Sequence, residues 1–173
     1  MSSLLKKLIR EDSGTATIEA AVVFPMLMTL GFGAIEFSNA FYDHQEISTG
    51  IRDAARYMAR VTDPSNNPCN NSTAVGYAKN LAVNAVISGG SARIPGFTKS
   101  ESSWTTGNVT ITCTAVANPV NAATGERSYR GQSTLYIVTV TTAVTYPQFG
   151  FMTYLGLSAP TINLSHSERW IGG

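Results

Sequence analysis

Charge is scarce in this chain. Only 13% of its 173 residues are Asp, Glu, Lys or Arg, and the net charge is +1, against a usual charged share of ~25%. The twelve Lys and Arg form no block or stripe, so nothing points to a nucleic-acid partner. Histidine is limited to His44 and His166, and cysteine to Cys69 and Cys113. The cysteine spacing fits no zinc or redox motif. The length leaves room for one membrane segment and one modest soluble domain, but not for two full domains. Beyond residue 60 the chain is rich in Thr, Ser, Asn, Gly and Ala. Such a composition suits an extracytoplasmic, β-rich domain better than a cytosolic enzyme.

The scarcity is sharpest near the N-terminus. From Ser13 to Ile35 the only charge is Glu19. An ionisable group at membrane depth costs roughly 2.5–3.5 kcal/mol on insertion scales, so it calls for a partner or a purpose. The strictly uncharged stretch, residues 20–35, is 16 residues long, short of the ~20 that a span needs. Counting from Ser13, with Glu19 neutralised, gives a sufficient 23. Lys6, Lys7 and Arg10 precede the run and favour a cytoplasmic N-terminus.

Three readings of this segment stand open. One is a cleavable signal peptide with a small-residue site at Ser38-Asn39-Ala40. The second is a plain single-pass anchor with Glu19 at the cytoplasmic interface. In the third, a peptidase cuts between Gly14 and Thr15, and Glu19 becomes the fifth residue of the mature chain.

The apolar pattern outlasts the membrane-like run. Phe37, Ala40, Phe41, Ile47, Ile51, Ala54, Ala55 and Met58 recur at three- and four-residue spacing. Asp43, Glu46, Arg52, Asp53, Arg56 and Arg60 fall mostly on other faces. The spacing predicts one helix over residues 13–61, lipid-bound in its first half and packed on a soluble head in its second. Pro25 should kink it by removing one backbone hydrogen bond. Residues 63–68 form a turn cluster, and Asn71 or Ser72 can cap a second helix over 73–87, ended by Gly89-Gly90.

Strand signals follow. Val109, Ile111, Cys113 and Ala115 alternate with threonines. Tyr136, Val138, Val140, Thr142, Val144 and Tyr146 alternate in the same way, and Pro147 stops that strand. Residues 118–131 read as the hairpin loop between them. Ile162, Leu164 and His166 share one face of a third strand over 161–170. The apolar run 149–157 is too short to span a bilayer and reads as a small helix, or as a loop dipping toward a partner or the membrane surface. The order predicts an α+β fold: a long N-terminal, partly transmembrane helix, then a second helix packed on a small antiparallel sheet. In an oxidising compartment Cys69 and Cys113 make one disulfide, worth about 4 kcal/mol in the chain-entropy model.

Catalysis finds little footing. Ser165-His166-Ser167 with Glu168 has a hydrolase composition, but neighbours along a strand point to opposite faces. Gly31-Phe32-Gly33 lacks the Lys and Ser of a phosphate loop. No catalytic, cofactor-binding or metal-ligating residue is assigned, and no cofactor is expected.

Two blocks resemble the TadE-like family of pilin-related proteins from bacterial tight-adherence (Flp-type) pilus systems. The first runs from Gly14-Thr15-Ala16-Thr17-Ile18-Glu19 through Phe24-Pro25 and Gly33-Ala34-Ile35-Glu36-Phe37 to Arg52-Asp53-Ala54-Ala55-Arg56-Tyr57. The second joins Val138-Thr139-Val140 and its continuation to Tyr146-Pro147, the short apolar run, and Thr161-Ile162-Asn163-Leu164-Ser165. The resemblance implies a pilin-like or pseudopilin subunit, single-pass in the bacterial inner membrane or incorporated into a pilus, with an extracytoplasmic C-terminal domain. It implies assembly of a tight-adherence (type IVc) pilus and a role in adhesion. Implied partners are other pilin or pseudopilin subunits, the inner-membrane assembly machinery and a prepilin peptidase, whose processing goes with methylation of the new terminus. By position, Gly14 precedes the cut, Thr15 supplies the amine and Glu19 is the assembly charge. The expected division is a basic leader (1–14), the transmembrane and amphipathic helix (15–61) and the head (62–173). The alternative is a secreted or periplasmic binding domain released from a signal peptide.

Overall fold

The computed structural model describes residues 13–95, 104–146 and 150–172, with only the backbone of Ser13 and Thr15. The basic leader with Lys6, Lys7 and Arg10, and also Phe97, Pro147 and Phe149, lie outside the described residues.

The chain is α+β. Helix α1 (Ser13–Arg60) runs unbroken through Pro25. Pro25 has no N–H for the Ala21 carbonyl, and the Thr29 hydroxyl donates to the Pro25 carbonyl at 2.8 Å. After a turn closed by Asp63, which accepts from the Ser65 N–H at 2.8 Å, a single 3₁₀ turn (Pro68–Asn70) leads into α2 (Ser72–Asn84). Three strands follow, β1 (Val109–Ala117), β2 (Thr134–Thr145) and β3 (Thr161–Arg169), with a short α3 (Gly150–Tyr154) between the last two. They form one antiparallel sheet in the order β1-β2-β3. Val138 faces Cys113 on one side and Glu168 on the other.

Alternation builds the core. Val109, Val138, Val140, Val144 and Ile162 project from one sheet face onto Ile47, Ile51, Ala54 and Met58 of α1. Helix α2 adds Ala74, Ala78 and Ala82. These small side chains let α1 and α2 approach closely. A Cβ on Gly50 would collide with the Ala82 carbonyl and lie 2.9 Å from the Trp104 ring. Trp104 is itself buried and donates from Nε1 to the Thr142 hydroxyl at 3.1 Å.

The second helix is shorter than its apolar spacing predicts. It begins at Ser72, with the Asn71 side chain accepting from the Ala74 N–H at 3.0 Å. It ends before residue 87 because Ala85 takes a left-handed conformation, φ 62°, and turns the chain away ahead of the glycines. The returning segment then supplies Arg93, whose N–H donates to the Val83 carbonyl at 2.8 Å and whose guanidinium pairs with Asp53 of α1. That tertiary contact replaces the last turn.

Cys69 and Cys113 are bonded, their Cα atoms 5.9 Å apart, tying the turn after α1 to β1. On the opposite edge of the sheet, Trp170 donates from Nε1 to the Val61 carbonyl at 2.7 Å, and the Ile171 N–H donates to the Ala59 carbonyl at 2.8 Å. The C-terminal strand thereby satisfies the open carbonyls at the end of α1.

Candidate functional site: an exposed helix and its clasp

The two halves of α1 have opposite surroundings. Beyond Ile47 its inner face is core. From Ala16 to Gly31 every residue is exposed, Ile18, Val22, Phe24, Leu27 and Leu30 among them. From Ala16 the helix is long and apolar enough to cross a membrane. A large apolar surface left bare is a surface meant for lipid or for another subunit. Gly14 opens this half, in the first turn of α1, and is exposed. Glu19 lies one turn further and is also exposed. Among the described residues no side chain pairs with it.

The lower contact between head and helix differs from the sequence expectation. Phe37 and Phe41, assigned above to the packed face, stand at its flank, exposed and lining an open groove rather than buried in the core. The inner face at this level instead carries Gly33, Glu36 and Asp43, with Ala40 half-buried. Asp43, assigned to the outer face, is buried. This phase continues the ladder of Met58, Ile51 and Ile47 backwards by threes and fours. That continuation was the available signal; charge at two of its rungs hid it.

Glu36 is the residue that sequence reasoning did not single out. Its side chain is only 8% exposed. One carboxylate oxygen accepts the Phe151 N–H at 3.1 Å, and the other accepts the Met152 N–H at 2.9 Å. Phe32 stacks obliquely on Phe151, ring centres 5.6 Å apart. Gly33 leaves room for the Met152 side chain, whose terminal carbon would lie 3.2 Å from an added Cβ. Charge-assisted bonds of this kind are stronger than neutral ones. So α3, held by two backbone donors, is clasped onto the point where α1 leaves its bare half.

Just above the clasp, burial raises the Asp43 carboxyl above its ordinary value, and the charge of Glu46 adds to the shift. Tyr146, at the end of β2, is pushed up to about 12, chiefly by burial and then by the charges of Asp43 and Glu36. His44 lines an open apolar groove of about 360 Å³ with Phe37, Phe41, Tyr146 and Ile162. His166 stands apart on β3, its Nε2 3.0 Å from the Glu168 carboxylate. The structure brings neither histidine to Glu19, and Cys69–Cys113 is remote in sequence from both.

No curated protein and no solved structure matches the chain significantly. A family model does match, over residues 14–56, and its description is TadE-like protein. The match starts at Gly14, takes in Glu19, Pro25 and Glu36, and ends in the arginine-bearing part of α1 that packs on the head. It carries an association with tight-adherence pili and nothing toward catalysis. Most of the long helix on which this molecule is built, residues 14–56, is thus similar to TadE-like proteins.

Proposed function

We propose that this protein is a pilin-like or pseudopilin subunit that takes part in assembling a tight-adherence pilus and, through it, in surface attachment. It sits in the inner membrane with its N-terminus in the cytoplasm and residues 62–173 outside. A prepilin peptidase removes residues 1–14 by cutting between Gly14 and Thr15, and the new terminus is methylated. The observation that carries the reading is the bare half of α1, an apolar rod with Glu19 as its one charge before Glu36. An isolated carboxylate on such a rod is costly in lipid. A Thr15 ammonium, from the same chain or a neighbouring subunit, offsets that cost, and breaking such a buried pair costs about 3–5 kcal/mol. The pair can therefore set the register between subunits.

Release after Ala40 is disfavoured by the clasp. A cut there removes Glu36 and leaves the Phe151 and Met152 N–H groups without their acceptors. N-terminal sequencing of the mature protein tests the reading. A start at Thr15 is expected; a start at Phe41 would mean secretion, and an intact Met1 would mean a plain anchor. Glu19→Ala should insert at least as well as the parent yet fail to build filaments. Normal filaments from that variant would refute the pairing.

A further inference from the structure

We propose that α3 and the turn after it form an interfacial collar, which lies in the outer boundary of the bilayer and fixes how deep the molecule sits. This rests on the reading of α1 as a membrane span. Residues 16–35 are 20 residues, about 30 Å of helix, the thickness of the hydrocarbon core. The next residue is Glu36, and Glu36 is the one that clasps α3. The collar is therefore continuous with the span and stands at its outer end.

Its chemistry fits a lipid surface. Tyr154 is 85% exposed, and Leu155 and Leu157 are about half exposed. On α1, Phe37 and Phe41, aromatic residues that follow Glu36, are exposed as well. Aromatic side chains with apolar neighbours are the residues that collect at membrane interfaces. Between Arg130 and Glu168 the sequence holds no Asp, Glu, Lys or Arg.

The backbone is equally suited. Phe151 and Met152 donate to Glu36, while the N–H groups of Leu155, Gly156 and Leu157 donate to Phe151, Thr153 and Met152 at 2.9–3.1 Å. The latter bonds close the end of α3 around Gly156, as many helix ends do, and leave the turn compatible with an apolar boundary. The acyl boundary requires such closure, because nothing there replaces water. Glu36 thus acts as a positioning residue, and two protein donors shield its charge at the outer end of the span.

The full chain in phosphatidylcholine–phosphatidylglycerol vesicles, with phosphatidylcholine brominated near the headgroup end of its acyl chains, provides the test. Tyr154→Trp adds a reporter, read as the difference from the parent with its two buried tryptophans. Phe24→Trp reports on the span. Shallow bromines should cut the added emission at 154 about twofold, and Glu36→Ala should abolish most of that quenching while leaving position 24 quenched by deep bromines. Position 24 quenched and 154 water-like overturns the collar alone. Neither position quenched overturns the span and the collar together. An emission at 154 that shifts only as protein-to-lipid ratio rises places a second copy there and also overturns the collar.

Discussion

At the residue scale, three side chains on one face of α1 do different work. Gly50 is required by distance. Its hydrogen lets the Ala82 carbonyl and the Trp104 ring sit where a methyl would collide. Gly50→Ala should therefore cost about 1–3 kcal/mol despite its better helix propensity, measured as a fall in the thermal midpoint of the full chain in detergent. Asp43 is tolerated at a cost. Because burial raises its folded-state pKa, the native chain binds more protons than the unfolded one as pH rises above the ordinary 3.8. Its contribution to stability thus falls as pH rises through the raised value, and the penalty persists at neutral pH. Asp43→Asn should raise the midpoint at pH 7 and change it little near pH 4. A parent and variant that track together across that range would refute the assignment. Glu36, by contrast, is held by donors that suit its charge.

At the element scale, α1 is one helix with two solvents. Its ladder of Ile47, Ile51 and Met58 has a sheet to bury against, and its lower half has none. The two strands of alternating valine and threonine were plain in sequence, because a pleated strand sorts its residues by twos and the core side is apolar but for Thr142. The end of α2 was not plain. The apolar spacing of Ala85 and Val86 continues the helix, but the pairing of Arg93 with Asp53 and its bond to Val83 pull the chain back earlier. The run 149–157 was open between helix and loop, and a carboxylate over a hundred residues away decides it for α3. The disulfide belongs to this scale as well. It closes a separation of 44 residues, so reduction should lower unfolding free energy by about 4 kcal/mol, less any native strain. Denaturation of the full chain with and without reductant measures this, with alkylation to verify the thiols.

At the scale of the whole molecule, the head and the rod share a helix, and the boundary between them lies at the clasp. A chain beginning at Phe32 keeps Glu36, Gly33 and the ring contact with Phe151. One beginning at Phe41 keeps the sheet and the disulfide but loses all three. Limited proteolysis should cut the second within residues 150–157 well before the first. Equal rates would mean that α3 is held by something other than α1. The sequence by itself determined the long helix, the antiparallel sheet and the placing of one carboxylate in an apolar rod, since these follow from local periodicity and from the cost of charge in lipid. Only the tertiary structure decided that Phe37 and Phe41 stay exposed at the flank, that Asp43 turns inward, and that Glu36 holds α3. The face a helical residue presents is fixed by what packs against it, and here that partner comes from the opposite end of the chain.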